Sequence, residues 1–256
     1  MTLSVVIITY NEEANIGRTL QSVQPLVRDG KGEIIVVDSG STDRTMEIAE
    51  SCGAKVCAEP WKGYAAQKNS AIEKATGDWI LSLDADEEVP PELAVEIEAV
   101  LRPASKPSGL FIPRKNMFLG RWIRHGGFWP DAKLRLFDRN CGRFEDRAVH
   151  ETVKSMGPAA TAKTYLIHHS YPTLSDYIAH MNHYSSLGAE MAVAEGRGRF
   201  SAINIVLRPL LTFLYNYCFR LGFLDGHEGL LLHLYHSVYV SWKYAKAWEL
   251  GRKQTA

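Results

Sequence analysis

The chain has 256 residues, 46% of them apolar, enough to bury the core of one large domain or of a domain with an appendage. Its 29 basic and 29 acidic residues cancel, and no dense basic patch or nucleic-acid motif is present, so nucleic-acid binding is excluded as a reading. The cancellation is not local: residues 197–256 carry a net +5 and are rich in Leu, Phe, Tyr and Trp, which suits a membrane surface, while residues 1–196 carry −5.

Residues 3–10 are β-branched and almost wholly apolar, which predicts a strand buried on both faces, as in a parallel sheet. Asn11-Glu12-Glu13 opens a predicted helix to about Val23. A second such strand, Ile34–Val37, runs into Asp38-Ser39-Gly40-Ser41-Thr42-Asp43, where Ser41 or Thr42 can cap a helix over Arg44–Cys52 that Gly53 stops. A short strand over Ala54–Ala58, a helix over Ala65–Ala75 and an apolar strand from Trp79 to Asp84 follow. Pro90-Pro91 then starts a helix to about Leu101. Residues 103–170 mix short strands (Gly109–Ile112, Leu134–Phe137, Ala162–His168) with loops rich in Gly, Trp and Arg. Residues 174–196 read as a helix with Ser175 and Asp176 near its start, and residues 201–250 as two amphipathic helices broken near Gly222–Gly229. Met1–Ser4 lacks the basic region and cleavage site of a signal peptide, so none is expected. The uncharged runs Pro209–Phe219 and Gly229–Trp242 fall short of the ~20 residues that cross a bilayer. Cys52, Cys57, Cys141 and Cys218 have no metal-type spacing and read as reduced thiols.

Strands alternating with helices predict a parallel sheet with helices on both faces, and such sheets bind ligands beyond the carboxyl ends of their strands. Thr9, Asn11, Glu13, Asp38, Ser39, Asp84 and Asp86 all fall at those ends, so three strands deliver carboxylates to one rim. The strand ending in Asp84-Ala85-Asp86 is the most telling. Buried strands do not end in two carboxylates unless a cation meets them, and a divalent metal on a diphosphate is such a cation. A dinucleotide-binding oxidoreductase would need Gly-x-Gly-x-x-Gly after the first strand, where this chain has Thr9-Tyr10-Asn11-Glu12-Glu13.

Ser4-Val5-Val6-Ile7-Ile8-Thr9-Tyr10-Asn11-Glu12-Glu13, Val36-Val37-Asp38-Ser39-Gly40-Ser41-Thr42-Asp43, Gln67-Lys68-Asn69 and Leu83-Asp84-Ala85-Asp86 together resemble a family 2 glycosyltransferase of GT-A fold. Arg135-Leu136-Phe137, Val149-His150-Glu151 and Gly222-Phe223-Leu224-Asp225-Gly226 extend the likeness to bacterial lipopolysaccharide core β-1,4-glucosyltransferases. The implied fold is α/β: a GT-A (Rossmann-like), mostly parallel sheet plus C-terminal amphipathic helices. Its nucleotide-sugar half would be residues 1–102 and its acceptor and base half residues 103–172. Residues 173–256 would form a helical, membrane-associating segment.

The resemblance implies inverting transfer from a UDP-sugar, UDP-glucose in the subgroup, with Mg²⁺ or Mn²⁺, to a heptose of the lipopolysaccharide core at the cytoplasmic face of the inner membrane. Another glycolipid or capsular acceptor, or a nucleotide-sugar-binding module without transfer activity, is the alternative. Thr9, Tyr10, Asn11, Glu13 and Ser39 would line the nucleoside, and Asp38 would accept from a uracil N–H. Lys68 would offset the diphosphate charge, Asn69 would bond ribose or phosphate, and Asp84 and Ala85 would face the ribose or sugar. Asp86 would bind the metal, with His150 completing its shell or touching the diphosphate. Arg135 would pair with a phosphate or bridge a structural acid. An inverting transfer also needs a base for the acceptor hydroxyl, for which Glu151 is favoured over Asp146. Trp122, Trp129 and His125-Gly126-Gly127 would stack on the acceptor or pack in a core. The stripe from Ile203 to Leu221 would lie in a bilayer interface or pack on protein.

Overall fold

The computed structural model describes residues 1–102, 107–145, 153–155 and 157–255, and the chain divides into two compact units. The first comprises residues 1–115 and 131–169. Its elements begin with β1 (Leu3–Thr9), α1 (Ile16–Val27), β2 (Gly32–Asp38), α2 (Thr45–Ser51), β3 (Lys55–Ala58) and α3 (Tyr64–Glu73). Then come β4 (Trp79–Asp84), β5 (Glu87–Glu88), α4 (Pro91–Val100) and β6 (Gly109–Ile112). Strand β7 (Arg114–Phe118) leads out of this unit, and β8 (Arg121–Trp122) belongs to the second. The chain returns with β9 (Lys133–Asp138), β10 (Gly142–Phe144), β11 (Val153–Ser155), β12 (Ala159–Thr161) and the start of β13 (Leu166–Tyr171).

Seven strands pair in the order β12-β6-β9-β4-β1-β2-β3. Strands β4, β1, β2 and β3 are parallel, and β9 enters antiparallel between β4 and β6. The mostly parallel α/β sheet expected from the sequence is therefore present. Its strands are apolar throughout because both faces are covered. Leu3, Val5 and Ile7 of β1, Ile34 and Val36 of β2, and Leu81 and Leu83 of β4 pack with Ile16, Leu20 and Val23 of α1 and with Leu93 and Ile97 of α4. The alternate residues Val6, Ile35, Val37 and Ile80 pack on Ala65, Ala71 and Ile72 of α3. Each such aliphatic side chain contributes about 1.5–3 kcal/mol when fully buried. The period of two in a strand sends neighbours to opposite cores. Gly77 lets β4 start close against β1, since a Cβ there would lie 2.7 Å from the Ser4 nitrogen.

Three details differ from the sequence expectation, each for a local reason. Helix α1 begins at Ile16, because Asn11 sits in the left-handed region at φ 53° and residues 12–15 form a turn first. Helix α2 has Arg44 at its N-cap position and no side-chain cap; Asp43, just before it, accepts from the Thr45 N–H at 3.0 Å, and neither Ser41 nor Thr42 caps the helix. The strand expected over Ala162–His168 is divided: Glu96 accepts from the Lys163 and Thr164 N–H groups at 2.9 Å each, turning the chain between β12 and β13.

The second unit comprises residues 116–130 and 170–256. Within it Met117 and Phe118 pair antiparallel with Trp122 and Arg121. Helix α5 (Leu174–Ala194) starts on a reciprocal cap between Thr173 and Asp176, so the cap is Thr173. One helical run then covers Ile203–Phe219, with α6 (Arg208–Leu214) between two segments of wider π turns. Helix α7 (Gly226–Thr255) follows a short 3₁₀ turn over Gly222–Asp225. Phe118, Ile123, Tyr177 and Leu232 form its main core.

Candidate active site

Parallel strands β1, β2 and β4 end on one edge, where Thr9, Asp38 and Asp84 lie in adjacent registers. The first part of that rim is a network of the chain's own hydrogen bonds. Asp38 is fully buried, and its carboxylate accepts from Gly40 N, Ser41 N, Ser41 Oγ and Thr9 Oγ1 at 2.5–2.9 Å. Those four bonds occupy the acceptor capacity of a carboxylate, so a uracil contact at Asp38 would replace one of them. Asn11 accepts from the Thr42 N–H at 2.8 Å and donates its own N–H to Ser41 Oγ at 2.8 Å. Glu13 accepts from Arg44 N at 3.1 Å and donates its N–H to Asp43. Tyr10, by contrast, is 59% exposed. Ser39 Oγ is buried with no hydrogen-bond partner among the described residues. An open pocket of about 260 Å³, lined by Ser39, Gly40, Ala58, Glu59 and Pro60, adjoins it.

The second part of the rim is ionic. Asp84 receives Lys68 Nζ at 2.9 Å on Oδ1 and Arg135 Nη2 at 2.5 Å on Oδ2, with Arg114 Nη1 at 3.9 Å. Burial works against its charge, but Arg135, Lys68 and Arg114 together hold its pKa well below the usual carboxylate value. Arg135 also touches Glu87 at 2.5 Å, and Glu87 has no solvent exposure. Arg114 spans Glu87 at 3.3 Å and Asp131 at 2.5 Å. Of the two uses the sequence left open for Arg135, the structure shows the bridge between acids.

Asp86 has a different partner. Its Oδ2 lies 3.3 Å from His168 Nε2, and β13 pairs with β5 so that His168 stands opposite Glu87. Burial disfavours both charges, yet the pairing wins: the Asp86 pKa falls and that of His168 rises. The neighbouring His169 donates its N–H to the Asp86 carbonyl at 3.0 Å and pairs with Glu88 at 2.9 Å. Thr19 fixes the Ala85 carbonyl through a 2.6 Å bond. Glu12 lies in the field of Asp86, Asp43 and Asp84, and burial first, then those charges, push its pKa up to about 7.

These side chains differ in how well they could hold a divalent cation. Asp84 is saturated by cations and makes a poor ligand here. Asp86 offers a carboxylate oxygen and His168, once deprotonated and released from that carboxylate, a ring nitrogen, a donor pair that suits Mn²⁺ and, through the carboxylate, Mg²⁺. Among the described residues no third metal-binding side chain joins them. Such ions commonly take one or two protein ligands and complete their shell with substrate phosphates and water, so the pair fits. Asp146, His150 and Glu151 lie outside the described residues.

Lys68 and Asn69, adjacent on α3, both reach Phe144. The Lys68 ammonium lies 5.3 Å from the centre of its ring. Asn69 donates to the Phe144 carbonyl at 2.9 Å and accepts from its N–H at 3.0 Å. Asn69 thus holds protein backbone two residues before Asp146. In the second unit, Trp122 and Trp129 pack edge to face at 5.2 Å, and Asp225 accepts from the His125 backbone and ring at 2.8 and 2.9 Å. Sequence reasoning missed Glu87, Arg114, Asp131 and His168. The run of four acids within Asp84–Glu88 and the paired histidines ending an apolar strand were the available signals.

The family model for glycosyl transferase family 2 matches residues 4–155, which includes every rim residue named above but His168 and His169. The chain belongs to glycosyltransferase family 2. Among its relatives is the lipopolysaccharide core biosynthesis glycosyltransferase LpsC of Rhizobium meliloti, 31% identical over 244 residues, covering 90% of this chain and 88% of LpsC. An uncharacterized glycosyltransferase of Rickettsia bellii is 34% identical over 240 residues, covering 90% and 80%. The structure of Staphylococcus aureus TarS residues 1–349 in complex with UDP-GlcNAc aligns with a TM-score of 0.51 at 16% identity, over 99% of this chain and 92% of that one. That likeness shows the fold, and the GT-A fold implied by the motifs is the one observed. The chain is a family 2 glycosyltransferase, an enzyme class whose donors are activated sugars.

Proposed function

We propose that this glycosyltransferase moves a hexose, glucose from UDP-glucose, onto a heptose of the lipopolysaccharide core with inversion at the anomeric carbon. The observation that carries the donor side is the pairing of Asp86 with His168 beside an Asp84 that three cations have already neutralised. The LpsC relationship supports a core-glycolipid acceptor, and TarS binds UDP and UDP-GlcNAc on the same fold. A lipid-borne acceptor would bring the enzyme to the cytoplasmic face of the inner membrane.

In this reading Tyr10 offers its exposed ring to the uracil, and the Asn11–Glu13 and Asp38–Asp43 loops, tied to each other, give the nucleoside a preformed edge. Ser39 Oγ supplies an unused hydrogen-bonding group there. Asp86 and His168 would hold Mg²⁺ or Mn²⁺, whose Lewis acidity would stabilise a departing diphosphate. Asp84 does not bind that ion; through Lys68, Arg114 and Arg135 it keeps three cations fixed at the strand end. On the acceptor side, the hydroxyl oxygen bonds to the anomeric carbon as the bond to UDP breaks, and its proton passes to a carboxylate. Glu151 is assigned that role over Asp146. Asn69 fixes the backbone at Phe144 ahead of both.

The test is UDP binding to wild type and Asp86→Ala, by calorimetry with and without Mn²⁺. Wild type should gain affinity with the ion and the variant should not. Metal-dependent affinity that survives the substitution would refute the role of Asp86. His168→Ala should weaken the same increment while leaving metal-free binding in place.

A further inference from the structure

Residues 198–224 contain Arg199, Arg208 and Arg220 and not one acidic residue, while Arg197 just before them pairs with Glu195. The first acid beyond them, Asp225, is buried on His125. The helical run Ile203–Phe219 in this stretch faces outward with its oil, not its charge. Ile203, Val206, Leu207, Leu210, Leu211 and Leu214 recur at spacings of three and four and are all exposed, Val206 by 67%. Phe200 before the run and Phe219 at its end are 62% and 77% exposed. Of the run, only Pro209 is buried. The inward side is held to α7 by polar ties: Arg208 to the Tyr244 hydroxyl at 2.6 Å, and Ser241 to the Ile205 carbonyl at 2.8 Å.

Soluble proteins seldom leave a contiguous apolar face of this length in water. No helix among the described residues is long and apolar enough to cross a membrane, so the run cannot be a span. A second copy of the chain is a poor cover. A two-fold contact sets the same patch against itself, and residues 198–224 bring arginines to it but no acid of their own. A sheet of anionic headgroups above an apolar interior matches both the stripe and the charge.

We propose that residues 199–224 form an in-plane anchor that seats the second unit on an anionic phospholipid surface. Phe200, Ile203, Val206, Leu210, Leu214 and Phe219 enter the acyl boundary, and Arg199 and Arg220 lie at headgroup level. The stripe and the charge carry the anchor by themselves; such a seat would also bring the enzyme to a lipid-borne acceptor, which is the reading given above.

The test is flotation of the full chain with vesicles of phosphatidylcholine alone or mixed with phosphatidylglycerol, at low and high salt. Wild type should float with the anionic vesicles only, and salt should release part of it. A triple variant, Ile203→Ser with Val206→Ser and Leu210→Ser, should lose at least about tenfold in partitioning. Arg199→Gln should lose about fivefold on anionic vesicles. All three substituted side chains of the triple variant are exposed, so folding, read by circular dichroism, and UDP binding should be unchanged. Equal flotation of wild type and triple variant, or none on anionic vesicles, overturns the anchor. So does a wild-type dimer in light scattering that the triple variant dissolves, because a second copy would then cover the face. If the anchor fails while UDP binding persists, the donor reading stands. If UDP binding fails while flotation persists, the anchor stands alone.

Discussion

Replacing Arg135 by methionine tests the ionic rim most directly. Arg135 is 5% exposed, and its Nη2 lies 2.5 Å from both Asp84 and Glu87. Breaking a buried pair by removing one partner costs about 3–5 kcal/mol, since the other charge is left uncompensated. Two features place this case at the lower end. About 30% of the Asp84 side chain meets solvent, and Lys68 remains at 2.9 Å from it. Arg114 also remains, 3.3 Å from Glu87. The expected loss near neutral pH is therefore about 3 kcal/mol, read by equilibrium urea unfolding. The sign with pH follows from Asp84. Its folded pKa lies below its unfolded value, so its stabilising contribution is present above about pH 4 and is lost as pH falls through the folded value. Without Arg135 Asp84 protonates more readily in the folded state, so the gap between variant and wild type narrows on acidification. Adding Glu87→Gln to the variant should restore part of the loss. A deficit below about 1 kcal/mol at neutral pH, or one that stays constant on acidification, would refute the assigned network.

Asn69→Ala removes two hydrogen bonds to the Phe144 backbone. It should cost about 2 kcal/mol in urea unfolding and lower kcat for transfer while the donor KM holds. Glu12 has a folded pKa pushed up to about 7, so its contribution turns against the folded state as pH rises from the ordinary Glu value towards 7, and the penalty is complete above that. Glu12→Gln should raise Tm relative to wild type in alkaline buffer and lose that advantage below the ordinary Glu value. For the base, Glu151→Gln should reduce kcat by about a hundredfold or more with UDP affinity intact, and Asp146→Asn should reduce it less. The reverse order would transfer the role to Asp146.

Strands β1, β2 and β4 were legible because each is buried on both faces, which writes an unbroken apolar run into the sequence. Once they were read as parallel, their carboxyl ends had to share an edge, and so the convergence of Thr9, Asp38 and Asp84 was legible too. Partnerships across the chain were not. Arg114, Arg135 and His168 reach the rim from β7, β9 and β13, and nothing local in those strands specifies which acid each will meet. Hydrogen-bond competition hid other details. Ser41 does not cap α2 because it is already committed to Asp38 and Asn11, and the Thr45 N–H goes to Asp43 instead. Nor does the sequence show that the Asn69 amide satisfies both groups of the Phe144 backbone.

The two adjacent grips of α3 have a consequence for how this enzyme can vary. Lys68 holds the end of β4 and the Phe144 ring; Asn69, one residue on, holds the Phe144 backbone. Successive helical residues point about 100° apart, so the angle between the two grips is set by counting residues. A side-chain exchange at either position weakens one grip. An inserted or deleted residue between Gly63 and Lys68 would swing both away at once, uncoupling the end of β4 from β10. Homologous enzymes should therefore tolerate substitutions along the outer face of this helix but keep its residue count fixed.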